Sequence, residues 1–370
     1  MRGLYVHIPF CLKKCNYCDF CSFDKLSSDK REEYLKSLIA EITSYEETPK
    51  ISVNTIFFGG GTPSLLTEDE FFRVYSAIAE SFDLRCLEEF TVEANPKTLS
   101  LEKLLLYRSL GVNRISVGLQ SIHENELKML GRIHNLSDFE KSLSLIYEAG
   151  FDNINVDLMY GIPEQTKESF NETLDYVLSQ DLPHLSLYGL IVEENTAFGR
   201  MGKNLVLPSE DEEADMYCIA AEKLSRTGYS HYEISNYSKP GFESRHNLIY
   251  WKTMEYIGVG LAAHSYFRGA RISNTESLSA YLSQNAEQYR KSEIVSKSDL
   301  AYEYVMLALR LKEGFSLAEY REKFGADFLS LRYEKLVAYQ KLGLLNFDGD
   351  RVSLSEKGFY LSNTILTELI

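Results

Sequence analysis

Four cysteines near the start of the chain have types and spacing that suit a metal centre. Cys11, Cys15, Cys18 and Cys21 stand within one short stretch, YVHIPFCLKKCNYCDFCSF. Four thiolates can close a structural zinc site, whereas three can hold a metal centre and leave one coordination position open. Four-cysteine zinc sites usually combine two CxxC pairs that are well separated in sequence. The single loop therefore favours an iron–sulfur cluster, with a zinc knuckle or unligated thiols as the alternative.

Other polar or glycine-rich positions follow the predicted strands further along the chain. The run FFGGGTPS (57–64) has three successive glycines, which let a backbone come close to a ligand and present its N–H and C=O groups. Glu93, Gln120 and Asp157 end the next three predicted strands. Asp157 lies in an otherwise apolar run, where a carboxylate needs a partner, and Arg132 is one candidate. Such residues at successive strand ends predict one shared site.

The elements that must position these residues alternate between strands and helices. The β-branched and aromatic runs predict strands at 4–10, 54–60, 89–96, 114–121, 153–163 and 184–191. Between them, REEYLKSLIAEITSYEE and SDFEKSLSLIYEAG have helical periodicity, and the latter ends at Gly150, a suitable C-cap. Six strands alternating with helices predict a parallel α/β sheet. A partial barrel and a doubly wound sheet both fit this pattern.

The rhythm changes after about residue 205, which predicts three domains at 1–205, 206–295 and 296–370. A long amphipathic helix should begin after Ser209, and residues 229–275 resemble a strand-and-loop extension. Three helices and a hairpin that turns at Asp348-Gly349 then resemble a winged-helix module. Because the formal net charge is −15, we expect a packing or lid role for this module and no nucleic-acid partner.

Composition indicates an ordinary globular protein in a reducing compartment. The chain has 370 residues, of which 44% are hydrophobic and 25% charged, and it has no apolar run of the roughly 18 residues that would cross a bilayer. No basic and apolar leader precedes the first strand, so we expect a cytoplasmic location. The clustering of four of the six cysteines argues against a disulfide framework. Cys86 and Cys218 are expected to be small buried hydrophobic residues.

The C-x3-C-x2-C spacing, with Tyr17 before the last of these cysteines, resembles the signature of the radical S-adenosylmethionine (SAM) superfamily. This resemblance implies a six-stranded partial (β/α) barrel with a C-terminal helical, winged-helix-like extension. It also implies that Cys11, Cys15 and Cys18 hold a [4Fe-4S] cluster, whose open iron chelates the amino and carboxylate groups of SAM. Cys21 is then the spare thiol.

Further motifs resemble one branch of that superfamily, which contains oxygen-independent coproporphyrinogen III dehydrogenase and the HemW heme chaperones. They are YVHIPF, FFGGGTPSLL, EANP, RISVGLQS, VDLMYGIPEQT and YEISN. The resemblance places the following residues at SAM-binding positions: Tyr5, His7, Gly60, Gly61, Thr62, Glu93, Gln120, Arg132 and Asp157. For Glu93 the alternative is a surface salt bridge, and Arg132 is assigned either to Asp157 or to the SAM carboxylate.

The stretch HNLIYW (246–251) is similar to the HNxxYW motif that the HemW family associates with heme. By that resemblance His246, Asn247, Tyr250 and Trp251 would bind heme. An imidazole is a suitable axial ligand, and the two aromatic rings offer flat faces to a porphyrin. A polar loop packed on aromatic core residues is the alternative. His7, His264 or a free cysteine would compete with His246 for the iron.

The resemblance therefore predicts a heme chaperone that binds a [4Fe-4S] cluster, SAM and heme and passes heme to an acceptor hemoprotein. The acceptor could be a respiratory protein at a membrane, contacted transiently, and a homodimer is left open. The first alternative is coproporphyrinogen III decarboxylation by a 5′-deoxyadenosyl radical. It is disfavoured because the signature starts at residue 5, without the N-terminal extension of that enzyme, and because Cys21 stands in C-x2-C instead of C-x-C. The second alternative is a heme-degrading relative of radical SAM methyltransferases, and the HNxxYW match disfavours both alternatives.

Overall fold

The computed structural model describes residues 1–369, without the side chains at positions 286, 287 and 331. Its strands, in chain order, are β1 (Gly3–Ile8), β2 (Ile51–Ser52), β3 (Thr55–Gly60), β4 (Phe82–Asp83), β5 (Glu89–Ala94), β6 (Arg114–Gln120), β7 (Ile154–Tyr160), β8 (His184–Gly189), β9 (Ser230–Glu233), β10 (Asn236–Ser238), β11 (Tyr256–Val259), β12 (His264–Phe267), β13 (Ala270–Asn274), β14 (Arg290–Ile294), β15 (Phe315–Ser316), β16 (Leu345–Phe347) and β17 (Arg351–Leu354).

The α-helices of the described residues are α1 (Ser28–Thr43), α2 (Glu68–Ser81), α3 (Leu101–Ser109), α4 (Glu124–Met129), α5 (Leu136–Glu148), α6 (Lys167–Ser179), α7 (Ala197–Met201), α8 (Glu210–Arg226), α9 (Arg245–Trp251), α10 (Leu278–Leu282), α11 (Ala286–Tyr289), α12 (Lys297–Ala308), α13 (Leu317–Phe324), α14 (Phe328–Lys341), α15 (Glu356–Tyr360) and α16 (Ser362–Leu369). Short 3-10 turns span Pro63–Leu65 and Gly202–Asn204.

Six parallel strands form the centre of the molecule, in the order β1-β3-β5-β6-β7-β8. Each is followed by a helix on the outside of the sheet, and their side chains build one large apolar core. All six were predicted from the sequence, with bounds that differ by only a few residues. The predicted partial (β/α) barrel is therefore confirmed. Because all six strands run the same way, their carboxyl ends meet at one edge.

The segment after the sixth strand extends this sheet at both edges. Strands β11 to β14 continue it beside β1, and β10 and β9 continue it beside β8, which makes a sheet of twelve strands. Helix α8 begins as predicted: the Ser209 hydroxyl accepts a hydrogen bond from the backbone N–H of Glu212, and the Glu212 carboxylate accepts one from the backbone N–H of Ser209. The predicted strand-and-loop region also contains the short helix α9, which the sequence pattern did not indicate.

The C-terminal module has the predicted composition of three helices followed by a hairpin. Strands β15, β17 and β16 form its small sheet, and α12 to α14 pack on a separate apolar core. The module joins the barrel side through Glu356, which accepts a hydrogen bond from His231 at 3.0 Å and is paired with Lys312. It is therefore fixed against β9 of the extended sheet.

Two expectations about the remaining cysteines have different outcomes. None of the six cysteines takes part in a disulfide bond. The prediction that Cys86 and Cys218 are buried is wrong, since both are exposed. Cys86 lies in the connection that precedes β5, and Cys218 lies on the outward face of α8.

Among the described residues, no helix combines the length and the apolar character that crossing a bilayer requires.

Candidate cofactor site

A cavity of about 460 Å³ opens at the carboxyl ends of the parallel strands and reaches down into the barrel. It brings together eleven of the residues predicted from the sequence: Cys11, Cys15, Cys18, Gly60, Gly61, Thr62, Glu93, Gln120, Arg132, Asp157 and Asn247. Five others lie behind its wall or in the helix at its base: Tyr5, His7, His246, Tyr250 and Trp251. The structure thus assembles most of the predicted site around one space.

The cysteine loop is tied to the barrel by backbone hydrogen bonds. Cys11 donates its N–H to the carbonyl of Phe23 at 2.9 Å, and Asn16 donates to the carbonyl of Leu130 at 2.9 Å. Burial raises the pKa of the Cys11 and Cys18 thiols, so thiolates here need positive partners such as metal ions. Among the described residues, no three His, Cys, Asp or Glu side chains are grouped around a position for a single metal ion. A cluster, which gives each thiolate its own iron, does not need such a group.

Cys21 has different surroundings from the other three cysteines of the loop. It is absent from the cavity wall, and its Sγ lies 3.8 Å from the backbone carbonyl of Glu276, in the chain segment after β13. Its own carbonyl accepts a hydrogen bond from Nε2 of His7 at 2.8 Å. The loop therefore presents three thiols to the cavity and turns the fourth away.

His7 and Tyr5 form a short hydrogen-bonded chain below the cysteine loop. Because the Cys21 carbonyl only accepts, Nε2 of His7 carries the proton, and its Nδ1 then accepts from the Tyr5 hydroxyl at 3.0 Å. Burial lowers the pKa of His7, which agrees with this neutral imidazole. His7 thus connects β1 to the cysteine loop, and both its nitrogens are already engaged.

The glycine run at the end of β3 leaves room that a side chain would fill. Gly60 has a φ of +109°, and a Cβ added there would lie 2.4 Å from the His7 imidazole. A Cβ on Gly61 would lie 2.7 Å from the carbonyl oxygen of Phe10. The cysteine loop and the end of β3 therefore approach each other closely only because these positions carry no side chain.

Two carboxyl groups face the interior of the cavity. Burial and the nearby Asp157 raise the pKa of Glu93 to about 8, although the Gly60 N–H donates to it at 3.2 Å. Burial also raises the pKa of Asp157, which is offset in part by a hydrogen bond from the Asn155 amide at 2.7 Å. Asn155 and Ser186, and not Arg132, thus form hydrogen bonds with Asp157. Both carboxyl groups are poised to respond to a positively charged ligand.

Arg132 extends along the cavity wall between the cysteine loop and the strand ends. Its Nη1 donates to Sγ of Cys15 at 3.6 Å, and its Nη2 donates to the carbonyl of Gly118 at 2.6 Å. Its buried Nε has no hydrogen-bond partner, and neither has the buried hydroxyl of Thr91, which also lines the cavity. These free polar atoms suit a polar ligand such as SAM, whose carboxylate would pair with a guanidinium.

Gln120 occupies a strained position at the end of β6. Its φ is +71°, and the pairing of β6 with β7 shifts register between Gly118 and Gln120. A non-glycine residue in this left-handed region costs roughly 1–3 kcal/mol and persists only where its surroundings hold it. The bulge turns the Gln120 side chain toward the cavity.

The HNLIYW stretch is a helix that closes the opposite, amino-terminal end of the barrel. Ser244 accepts from the Asn247 N–H, and the carboxylate of Glu89 accepts from the N–H groups of Arg245 and His246. These contacts hold α9 against the start of β5. Asn247 reaches the lower part of the cavity, so the helix and the cysteine loop border the same space from its two ends.

His246 has no open coordination position in this structure. It is 1% exposed, its Nδ1 lies 2.7 Å from the Thr55 hydroxyl, and its Nε2 lies 2.7 Å from the Tyr250 hydroxyl. Burial lowers its pKa to about 3, and its ring stacks on Phe57 at 5.1 Å. As an axial ligand it does not fit without opening one of these hydrogen bonds. His264 is exposed at the start of β12.

Some residues of the wall were not singled out from the sequence. They include Asn95, Asn155, His184, Ser186 and Tyr188. Asn95 stands in the EANP motif two positions after Glu93, so the motif itself was an available signal. The others alternate along β7 and β8 with apolar residues, and only the closed curvature of the barrel shows that they face inward.

Comparison with known proteins gives a consistent set of similarities. The Radical SAM superfamily matches residues 5–177, and the HemN C-terminal domain matches residues 295–361. The heme chaperone HemW of Lactococcus lactis is 40% identical, over 100% of this chain and 97% of its own length. The proteins of the same name from Bacillus subtilis and Escherichia coli are 37% and 34% identical, over 99% and 98% of this chain and 98% and 97% of their own lengths.

A solved structure has the same fold. Coproporphyrinogen III oxidase (HemN) from Escherichia coli, described as a radical SAM enzyme, superposes with a TM-score of 0.86 at 24% identity. The match covers 100% of this chain and 89% of that one.

Proposed function

We propose a function for this chain from its family: it belongs to the radical SAM superfamily and, within that superfamily, to the HemW family. The proposed function is that of a heme chaperone, which binds a [4Fe-4S] cluster, SAM and heme and transfers heme to an acceptor hemoprotein. The observation that carries this proposal is the similarity, over the whole chain, to relatives named heme chaperone HemW. A cytoplasmic location and an acceptor among respiratory hemoproteins are part of the proposal.

In this proposal the three cavity-facing cysteines, Cys11, Cys15 and Cys18, hold the cluster. When bound, such a cluster offers an open iron to the amino and carboxylate groups of SAM. Its support is the presence of all three thiols on one cavity wall, with Cys21 turned away.

The strand-end residues then bind and orient SAM. Arg132 has a free Nε for a carboxylate, and Gly60 and Gly61 leave the backbone accessible. Thr62, Gln120 and Asp157 line the same space, and Tyr5 and His7 support the loop from behind. Glu93 holds a proton near neutral pH until a cationic group of the ligand lowers its pKa again.

The proposed heme site starts from the residues of helix α9. Tyr250 and Trp251 are half-buried on α9, and Asn247 reaches the cavity. Coordination by His246 requires its hydrogen bond to Thr55 or to Tyr250 to open, whereas His264 is already exposed. The heme site thus includes α9, with His246 and His264 as the two candidate ligands.

Hemin titration of the purified protein tests the heme part. We expect a Soret shift that His246→Ala weakens if α9 supplies the ligand, because the imidazole is removed. His264→Ala tests the exposed candidate, and His123→Ala, at the start of α4 and outside the cavity wall, is the matched control. A titration unchanged in both His246→Ala and His264→Ala would remove these residues from the heme site.

A further inference from the structure

A continuous set of hydrogen bonds links two of the cavity-facing cysteines through three side chains of the cavity wall. Thr62 donates its hydroxyl to Sγ of Cys11 at 3.8 Å, and Arg132 donates to Sγ of Cys15 at 3.6 Å. Asn95 lies between them: its amide N–H donates to the Thr62 hydroxyl at 2.8 Å, and its amide oxygen accepts from Arg132 at 2.5 Å. We call this set, Cys11–Thr62–Asn95–Arg132–Cys15, the thiol belt.

Asn95 fixes the direction of both donors. Because its N–H occupies one acceptor lone pair of the Thr62 hydroxyl, the Thr62 proton is left to point at Cys11. Because its oxygen holds one arm of the Arg132 fork, the other arm is directed at Cys15. A single amide thus aims two donors at two different thiols.

Asn95 is itself held in place by its surroundings. Its backbone carbonyl accepts from the Thr98 N–H at 3.2 Å and from the Thr98 hydroxyl at 2.6 Å. Gly118 leaves the space for the pair: a Cβ there would lie 3.1 Å from Oδ1 of Asn95 and 3.1 Å from Nη2 of Arg132. The belt is therefore a built arrangement, made by the ends of β3, β5 and β6 and the loop after α4.

We propose that Asn95 is a positioning residue that tunes the cluster held by Cys11, Cys15 and Cys18, through the hydrogen bonds that Thr62 and Arg132 give to two of its thiolates. The inference rests on the proposed cluster assignment. Donors to cluster sulfurs stabilise the reduced, more negative state of an iron–sulfur centre and so raise its reduction potential. The role proposed for Asn95 is thus to set the reduction potential of the cluster.

The experiment measures the midpoint potential of the reconstituted cluster in the full chain, by anaerobic titration followed by electron paramagnetic resonance. Asn95→Ala should shift the potential to a lower value at unchanged cluster content. The matched control is Asn113→Ala. Asn113 also makes two side-chain hydrogen bonds, to the backbone of Phe90 and Glu88, but at the opposite end of β5 and β6 and outside the cavity. It should leave the potential unchanged.

A second pair of variants keeps the test open if Asn95→Ala assembles too little cluster. Thr62→Val removes the donor to Cys11 and should lower the potential, whereas Thr62→Ser restores it. If Asn95 acts through Thr62, the double variant Thr62→Val/Asn95→Ala should shift the potential by less than the sum of the single shifts.

The outcomes separate this inference from the proposed function. A wild-type chain that assembles no [4Fe-4S] cluster would overturn both. A normal wild-type cluster whose potential is the same in Asn95→Ala and Thr62→Val would overturn the thiol belt alone. Equal shifts in Asn95→Ala and Asn113→Ala would also overturn it, since they would indicate only a general loss of stability.

Discussion

The four cysteines of the opening loop have unequal surroundings, although they are evenly spread along it. Three border the cavity, and the fourth lies beside the Glu276 carbonyl while its own backbone is held by His7. A thiol outside the cavity cannot reach the same cluster as the other three without moving the His7 contact. This difference leads to a direct comparison of two cysteine variants.

Cys15→Ala should abolish the visible absorption of a reconstituted [4Fe-4S] centre, because a cavity-facing ligand is lost. Cys21→Ala should retain that absorption and its iron content, since the side chain is outside the cavity. Iron and sulfide analysis beside the absorption spectrum checks both variants. An equally severe loss in the two would contradict the division of the thiols into three and one.

The sequence predicted which residues form the site better than it predicted the hydrogen-bond partners of their side chains. Cysteine spacing and glycine runs are local signals, so the cluster loop and the end of β3 could be found without coordinates. The bridge that Asn95 makes between Thr62 and Arg132 depends on which side chains converge across the barrel. That information is not local in the chain.

Strands β1 and β3 position the site because their backbones come close together. Strand β3 ends in Gly60, whose conformation is left-handed and whose missing Cβ makes room for His7. Gly111, in the turn before β6, has a comparable φ of +90° but has no atom within 4 Å of an added Cβ. Alanine substitutions at the two glycines therefore distinguish the cost of backbone strain from the cost of steric overlap.

Gly111→Ala should lower the free energy of unfolding by about 1 kcal/mol, the cost of a left-handed alanine. Gly60→Ala should lower it by about 3 kcal/mol, because overlap with the His7 ring adds to that strain. Urea unfolding of the two variants and the wild type measures the difference. Equal losses in the two variants would show that His7 yields freely and that Gly60 is not needed for its space.

Helix α9 shows why some elements escape sequence analysis. Its seven residues are too few for a periodic pattern. Ser244 caps the helix locally, but the N–H groups of Arg245 and His246 donate to the carboxylate of Glu89, which is far away in sequence. Helix α8, by contrast, has its complete capping box beside it, in Ser209 and Glu212. Local capping is readable from sequence, whereas capping by a distant strand is not.

In the whole molecule, the barrel and the C-terminal module meet at a buried carboxyl group. Glu233 ends β9, where it pairs as an isolated bridge with Leu311, and it is 1% exposed. Burial raises its pKa to about 8, although the Ser235 N–H and the nearby Arg310 act in the opposite direction. The folded chain thus holds this proton over a range in which the unfolded chain has released it.

The contribution of Glu233 should make the chain less stable as pH rises from about 4.5 to about 8, the interval between its ordinary and its folded pKa. Glu233→Gln mimics the protonated carboxyl and should remove this part of the pH dependence, so that the variant gains most in relative stability at pH 8. Thermal unfolding of both proteins across this range checks the sign. A Glu233→Gln variant that loses stability relative to the wild type as pH rises would contradict the buried, protonated carboxyl.

The overall architecture could be predicted because six strands, their helices and the terminal hairpin each have a local pattern. The continuation of the sheet at both edges could not, since β11 joins β1 from more than two hundred positions away. The same limit applies to the placement of α9 at the base of the cavity.

We propose that the chain carries heme and does not decarboxylate coproporphyrinogen III. The most direct measurement is an anaerobic incubation of the reconstituted protein with coproporphyrinogen III and SAM, beside a hemin titration of the same preparation. The account predicts a Soret shift with hemin and no protoporphyrinogen IX. Formation of protoporphyrinogen IX, or no heme binding by a protein with an intact cluster, would contradict it.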